Sequence, residues 1–293
     1  MTIREILLKK YVQYKLSPLD REILLSLALK KSKEFILAHP EKKLSASQAK
    51  KFNSFCARRA NSEPIAYITG RKEFYGLDFS VNKNVLIPRP ETELLIENVL
   101  NRIQKTRYKM PDAMIDIGTG SGNIIISIAK NIPNVFQKKI NFFAIDVSKE
   151  SLKVAKKNAG KNKVERKINF IQSDMLEYFL KRKTKFENIF IAANLPYVSH
   201  DIYKRNYKNL KYEPKLALYS NENGLTHYTK IFRQIRSLLA IHCTLFIEIS
   251  PEQKPPIYLI IKEYWPKAEI SFFKDLAGKW RLVEIKIVRQ FPA

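Results

Sequence analysis

After residue 111, short apolar runs alternate with helix-like stretches, and no other feature of the sequence constrains the fold as strongly. Such alternation is typical of a doubly wound, mainly parallel sheet, which binds ligands at the carboxyl ends of its strands. We therefore predict an α/β, Rossmann-like fold, with residues 271–274 pairing antiparallel with the last strand. The predicted strands are 113–117, 140–145, 168–172, 188–192, 244–249, 271–274 and 282–288, and the predicted helices are 124–130, 151–158, 175–179 and 225–239.

The first 60 residues contain helix starts instead. Thr2 and Glu5 have the spacing of a capping box, as do Ser45 and Gln48, and Ser17 precedes a proline at the first helical position. This stretch holds 14 Lys and Arg against 5 acidic residues, a net charge of +9. A small helical bundle with a solvated basic face and a substrate-recruiting domain both fit these features.

Residues 71–88 join the two regions. Alternation over Phe74–Val81 predicts a short hairpin, and the prolines at 88 and 90 stiffen the segment before a helix that starts at Glu91 or Thr92. We therefore divide the chain into an N-terminal helical domain for substrate recognition (1–70), a hairpin connector that also walls the active site (71–88) and the alternating domain (89–293).

Composition limits the partners and the compartment. The net charge of +25 favours polyanionic partners such as RNA, but lysines spread over every solvated face would give the same value. Cys56 and Cys243 are isolated and the four histidines are scattered, so we expect no metal site. Residues 1–14 lack a signal-peptide core and no apolar run is long enough to span a membrane, which predicts a cytoplasmic protein with no membrane partner.

A glycine-rich turn follows the first strand of the alternating region, at Gly118-Thr119-Gly120-Ser121-Gly122. Glycine lets the backbone approach a ligand closely and accepts positive φ. The spacing is neither the dinucleotide fingerprint nor a P-loop. It resembles the cofactor turn of S-adenosylmethionine enzymes, whose ligand has an amino-acid tail and no phosphate.

Two acidic positions extend this predicted cofactor site. Asp146 ends the second strand, where a carboxylate can accept both ribose hydroxyls, although it could instead cap the next helix. Asp174 follows the third strand, where it or a backbone N–H would address the adenine edge. Met175 would pack on the adenine face, and a plain core role fits it equally well.

The strand-like run 189–193 leads directly into Asn194-Leu195-Pro196-Tyr197. An amide that donates and accepts hydrogen bonds, a rigid proline turn and an aromatic ring suit a planar NH2 group. With the glycine turn, they predict methyl transfer to an amino or amide nitrogen. We expect Asn194 Oδ1 and the Leu195 carbonyl to accept the two substrate N–H groups while Tyr197 packs on the amide plane. Since no general base is evident, catalysis would depend on positioning and desolvation.

The chain resembles the release-factor glutamine N5-methyltransferases, the HemK-like family, over essentially its full length. The resemblance implies a class I methyltransferase fold, S-adenosyl-L-methionine as cofactor, and methylation of the glutamine in the Gly-Gly-Gln motif of peptide chain release factors during translation termination, by an enzyme we expect to be a monomer. The matching segments are 63–70, 86–93, 116–122, 194–197, 213–218, 224–225 and 274–281.

Two departures from the family pattern keep alternatives open. Leu195 replaces the first proline of the usual tetrapeptide, and Met175 stands where the family often has tryptophan. Asn-Leu-Pro-Tyr is the form familiar from ribosomal RNA adenine dimethyltransferases, and the basic charge fits that substrate. An adenine N6-methyltransferase acting on ribosomal RNA or DNA, a ribosomal-protein glutamine methyltransferase and a non-catalytic RNA-binding relative are the alternatives.

Overall fold

The computed structural model of the protein describes residues 1–8, 14, 16–105, 110–133, 139–198, 200–221 and 224–288. The chain divides into two compact units. One comprises Met1–Arg71 and Tyr207–Tyr212, and the other comprises Lys72–Asn206 and Glu213–Ala293.

The first unit is helical around its own apolar core. Reciprocal hydrogen bonds between Thr2 and Glu5 (2.9 and 3.2 Å), and between Ser45 and Gln48, form the predicted capping boxes, and Ser17 caps the second helix. Leu24 and Phe52 are among its fully buried side chains. The helices of this unit are Ile3–Leu8, Pro18–Leu29, Lys33–Ala38, Ala46–Ala60, Ile65–Thr69 and Tyr207–Leu210.

The segment Tyr207–Tyr212 differs from the sequence-based division, which placed it in the 89–293 domain. The structure groups it with the first unit, where the Tyr212 hydroxyl donates to the carbonyl of Asn61 (3.0 Å). A contact across 151 positions leaves no local signal in the sequence.

The second unit begins with the predicted hairpin and contains one large sheet. The hairpin strands are β1 (Arg71–Phe74) and β2 (Leu77–Ser80), and the sheet strands are β3 (Ala113–Ile117), β4 (Asn141–Asp146), β5 (Ile168–Gln172), β6 (Lys185–Ala193), β7 (Leu239–Glu248), β8 (Glu269–Lys274) and β9 (Trp280–Val288). The described strands lie in the order β5-β4-β3-β6-β7-β9-β8. Strand β9 runs antiparallel to both β7 and β8, and the other neighbours are parallel. The predicted α/β fold is confirmed.

Helices cover both faces of this sheet. On β3, Ala113, Ile115 and Ile117 enter one apolar cluster while Met114 enters the other, as the alternation of a strand buried on both faces requires. The described helices of this unit are Glu93–Lys105, Asn123–Asn131, Lys149–Lys161, Glu177–Lys181, His200–Arg205, Lys215–Leu218, Thr226–Ser237 and Lys254–Tyr264, with 3₁₀ turns at Pro90–Thr92, Glu165–Lys167 and Pro251–Gln253.

The predicted helix at 175–179 was wrong at its start. Met175 has φ +51°, in the left-handed region, so it cannot belong to a right-handed helix, which begins at Glu177. Among the described residues, no helix is long and apolar enough to cross a membrane.

Asn158 ties the hairpin to the glycine turn. Its amide is fully buried, and it accepts from the Ser80 backbone N–H (2.8 Å) while donating to the carbonyls of Ser80 (3.0 Å) and Ser121 (2.9 Å). One side chain therefore satisfies three backbone groups in two different segments.

We expect Asn158→Ala to lower the free energy of unfolding by about 2–4 kcal/mol, because buried backbone groups would lose their partners. Urea unfolding followed by circular dichroism measures the change. Asn131→Ala is the matched control, since Asn131 is exposed and its side-chain amide donates to the carbonyl of Ser127 in its own helix. Equal losses in the two variants would contradict this role.

Candidate active site

The predicted site residues meet at the carboxyl edge of the parallel strands. Gly118 follows β3, Asp146 ends β4, Asp174 follows β5 and Asn194 follows β6. These four residues line one cavity, together with Gly120, Met175, Leu195, Pro196 and His227, and with Asn84, Val85 and Leu86 from the connector. Ligands of doubly wound folds bind at this edge.

The remaining predicted residues lie beside this cavity. Thr119 and Ser121 line a smaller pocket that also touches Gly118, Gly120 and Asn194. Gly122, with φ +81°, occupies the N-cap position of the helix Asn123–Asn131. Tyr197 packs against the core of the sheet.

The glycine turn is held by two carboxyl groups. The backbone N–H of Gly120 donates to Asp146 Oδ2 (2.9 Å). Behind it, fully buried Asp116 accepts from the Thr119 hydroxyl (2.6 Å) and from the Ile125 N–H (3.3 Å) through Oδ2. Burial raises the pKa of Asp116 to about 7, against the weaker opposite effect of these bonds. Thus the conformation of the turn depends on polar groups packed beneath it.

Asp146 does not cap the helix that follows it. The Ser148 hydroxyl takes that role, accepting from the Ser151 N–H (3.1 Å). Besides Gly120, Asp146 accepts from the Ser148 N–H through Oδ1 (2.8 Å). Burial raises the pKa of Asp146, and its backbone hydrogen bonds oppose that rise. A carboxylate offers about four lone-pair sites, so acceptor capacity remains toward the cavity.

Asp174 and Met175 line the cavity just after the end of β5. Asp174 forms an ion pair with Lys230, and both side chains are partly exposed. Met175 is buried, and it both lines the cavity and belongs to the core cluster beneath the sheet. The two roles expected for Met175 are therefore compatible in space.

The orientation of Asn194 is fixed by a neighbour that the sequence did not single out for the site. Its Nδ2 donates to the hydroxyl of buried Thr92 (3.2 Å), so its Oδ1 points away from Thr92. The next residue, Leu195, buries its side chain in the core. Leu195 also lines the cavity, as do Asn194 and Pro196.

A buried carboxyl group lies behind the tetrapeptide. Glu248, at the end of β7, is hydrogen-bonded by Thr92 and lies 3.5 Å from the hydroxyl of Tyr197. Burial raises the pKa of Glu248 to about 7, while the Thr92 bond and the charge of Arg281 oppose the rise more weakly. Burial and the charge of Glu248 also raise the pKa of Tyr197, so its phenol stays protonated.

Two residues at the site, His227 and Glu213, were not predicted as site residues from the sequence. His227 lines the cavity, and burial lowers its pKa, but an isolated histidine carries no pattern. Glu213 is buried, pairs with Arg89 and accepts from the Ile87 N–H (3.2 Å), thereby anchoring the segment that carries Thr92. Within the described part of the chain, no cluster of three or more His, Cys, Asp or Glu could hold a metal.

Comparison with known proteins places the chain. Residues 7–70 match the family model described as PrmC N-terminal domain, and residues 110–269 match the one described as methyltransferase domain. The release factor glutamine methyltransferase of Clostridium botulinum is 32% identical over 292 residues, covering 98% of this chain and 99% of that protein. Its counterpart from Dictyoglomus turgidum is 34% identical over 267 residues, covering 91% of this chain and 90% of that protein.

Among solved structures, the human METTL16 catalytic domain in complex with the MAT2A 3′UTR hairpin 6 matches with a TM-score of 0.54. The identity is 16%, and the match covers 72% of this chain and 76% of that one, so it shows the fold alone. Fold and glycine turn together define a class I methyltransferase. Within that class, the chain belongs to the release factor glutamine methyltransferase family, as the near full-length identities show.

Gly224 supports the tetrapeptide from behind. Its φ is +87°, and a Cβ at this position would lie 2.3 Å from the carbonyl oxygen of Tyr197 and 2.5 Å from Gln253 Nε2. Gln253 in turn donates to the Gly224 carbonyl (3.0 Å) and its Oε1 receives the Tyr228 hydroxyl (3.4 Å). Only glycine fits here without displacing the backbone of Tyr197, the last residue of the tetrapeptide.

We predict that Gly224→Ala lowers the melting temperature more than Gly278→Ala does. Gly278 also has positive φ (+74°), but no atom lies within 4 Å of the point that a Cβ would occupy. Its substitution therefore reports backbone strain alone, about 1–2 kcal/mol. At Gly224, crowding against Tyr197 and Gln253 should add about 1–3 kcal/mol to the loss of folding stability. Differential scanning fluorimetry measures the melting temperatures of the two variants. Equal decreases would show that the close approach to Tyr197 is unimportant.

Proposed function

We propose that this protein methylates the side-chain amide nitrogen of the glutamine in the Gly-Gly-Gln motif of peptide chain release factors, with S-adenosyl-L-methionine as methyl donor. The observation that carries the proposal is the Asn194 amide, which lies at the cavity beside the glycine turn with its Nδ2 occupied by Thr92. Family membership supports the same substrate. The enzyme would then act in translation termination. That it works as a cytoplasmic monomer stays a prediction.

The cavity fits the methyl donor. The backbone of Gly118 and Gly120 leaves room where side chains would intrude, and Asp146 presents a carboxylate at the end of β4 for ribose hydroxyls. Met175 and Leu195 offer apolar surface, and Asp174 lies beside Met175 for the polar edge of adenine. Thr119 and Ser121 line the adjoining pocket. When bound, S-adenosylmethionine supplies a methyl group that its positively charged sulfur has already activated.

The protein's own contribution is to bind and orient the amide. An amide nitrogen is a weak nucleophile because its lone pair is delocalised into the carbonyl. Asn194 Oδ1 and the Leu195 carbonyl accept its two hydrogens and so fix the direction of the nitrogen. Pro196 limits the backbone of the turn, and the ring of Tyr197 covers the amide plane. Closing the cavity around these groups excludes water and strengthens each hydrogen bond.

Replacing Asn194 by alanine tests this assignment. Loss of one oriented acceptor should raise the barrier by about 2–4 kcal/mol, by analogy with other preorganised hydrogen-bonding groups. The measurement is the turnover number for a full-length bacterial release factor with radiolabelled S-adenosylmethionine. A release factor with Gln→Ala in the Gly-Gly-Gln motif is the substrate control and should take up no label. Near-normal turnover of Asn194→Ala with intact cofactor binding would refute the role.

Cofactor binding can be tested at Asp146. We expect Asp146→Asn to weaken the affinity for S-adenosylhomocysteine about 10- to 100-fold, because hydrogen bonds to an ionised acceptor contribute roughly 1.5–3 kcal/mol. Isothermal titration calorimetry measures the affinity of each variant for S-adenosylhomocysteine. Asp112→Asn is the matched control, since the Asp112 carboxylate also accepts from two backbone N–H groups, those of Glu187 and Asn188 (2.7 and 2.9 Å), but lies outside the cavity lining. Equal affinities in both variants would remove Asp146 from the cofactor site.

A further inference from the structure

Thr92 links the catalytic amide to a buried carboxyl group. Its hydroxyl receives the Nδ2 hydrogen of Asn194 at 3.2 Å and hydrogen-bonds with Glu248, and the side chain is almost fully buried. These contacts join the end of β6, the turn Pro90–Thr92 and the end of β7. The Glu248 carboxyl group also lies 3.5 Å from the Tyr197 hydroxyl. One carboxyl group therefore contacts both Tyr197 and Thr92, the residue that holds Asn194.

The Thr92 hydroxyl determines which group donates and which accepts in the hydrogen bonds that link Asn194, Thr92 and Glu248. A threonine hydroxyl has one proton to donate and lone pairs with which to accept. An ionised carboxylate only accepts, so Thr92 must give its proton to Glu248 and keep its lone pair for Asn194. Asn194 must then turn its NH2 end toward Thr92 and its oxygen away. A flipped amide would offer NH2 to a substrate that is itself an NH2 donor.

We propose that Glu248 is a positioning residue, which acts through Thr92 to fix the acceptor end of Asn194 toward the substrate amide and which also holds the hydroxyl of Tyr197. This inference rests on the proposed function and adds to it the group that orders the site. Glu248 touches neither cavity, since it is absent from the lining of both.

The surroundings of Glu248 make this order sensitive to pH. Arg281 on β9 favours the ionised form, and Glu91 on the turn Pro90–Thr92 opposes it. The hydroxyls of Thr92 and Tyr197 face the carboxyl group, and Tyr228 donates to the Glu248 backbone carbonyl (2.9 Å). With burial dominant, the pKa of Glu248 is raised to about 7. A protonated Glu248 becomes a donor itself and can offer its proton to Thr92, which frees Asn194 to flip.

Turnover should therefore fall as the pH drops from about 8 to about 6, on either side of the Glu248 pKa, since the competent form is the ionised carboxylate. The experiment measures kcat and KM for a full-length release factor across this range in the wild type and in Glu248→Gln, Thr92→Val and Thr92→Ser. Affinity for S-adenosylhomocysteine and the melting temperature are measured alongside. Glu284→Gln is the matched control, because Glu284 is a buried carboxylate on β9 that pairs with Arg102 (2.8 Å) and lines neither cavity.

Glu248→Gln and Thr92→Val should each lower kcat about 10- to 100-fold at high pH, by analogy with the outer partners that orient metal ligands. Both should keep the affinity for S-adenosylhomocysteine and show a smaller decline toward acidic pH than the wild type, because Asp116 still titrates in this range. Thr92→Ser, which keeps the hydroxyl, should stay within about twofold of the wild type, and Glu284→Gln should keep the wild-type pH profile.

Wild-type kcat in Thr92→Val, or an unchanged acidic decline in Glu248→Gln, would overturn the inference. If Glu248→Gln fails to fold, Thr92→Val and Thr92→Ser decide the matter, because valine matches threonine in volume and serine lacks only one methyl group. Absence of any methyl transfer by the wild type would contradict the proposed function instead, so the two failures are distinguishable.

Discussion

The proposed active site depends on the register in which β3 pairs with its two parallel neighbours. Ile117 is level with Ile145 of β4 on one side and with Ala193 of β6 on the other. The residues that come next in the sequence are Gly118, Asp146 and Asn194, so this register brings all three to the same edge of the sheet. A slip of one residue in either pairing would turn a functional side chain to the opposite face of the sheet. The site is thus a consequence of backbone hydrogen bonding within the sheet.

Buried carboxyl groups cluster at this same edge. Asp116, Asp146 and Glu248 all have raised pKa values, with burial as the main cause in each. Burying a carboxyl group costs free energy, and hydrogen bonds from the glycine turn, Ser148 and Thr92 offset only part of that cost here. Asp116 Oδ1 and Glu248 Oε2 are buried and accept no hydrogen bond from the described residues. Polar groups of this kind concentrate where function requires them. Glu284, a buried acid on β9, is instead paired with an arginine.

Local patterns predicted much of the fold. The strands at 113–117 and 168–172 match the structure residue for residue, and the three helix caps near Thr2, Ser17 and Ser45 formed as predicted. These features succeed because they depend on periodicity and on contacts within three or four residues. The helix prediction failed at Met175 because methionine rarely adopts a left-handed backbone, so its side chain gives no signal for one.

The polar connections of the site could not be predicted in the same way. Thr92 and Asn194 are 102 positions apart, and Tyr197 and Glu248 are 51 apart, so their contacts depend on the completed sheet. One signal was present in the sequence: Glu248 is an acid inside the apolar run 244–249 that we predicted as a strand. An acidic residue at a position expected to be buried needs partners, and this requirement marks Glu248 as a candidate site residue.

The most direct measurement is to identify the acceptor atom in a reaction that offers both kinds of substrate. Purified protein is incubated with S-adenosylmethionine, a full-length release factor and unmodified ribosomal RNA in one vessel, and tandem mass spectrometry then locates every new methyl group. We predict methylation of the Gly-Gly-Gln glutamine and none on the RNA. Methylated adenine with an unmodified release factor would contradict the assignment and would make Leu195 and the net charge of +25 the better guides to the substrate.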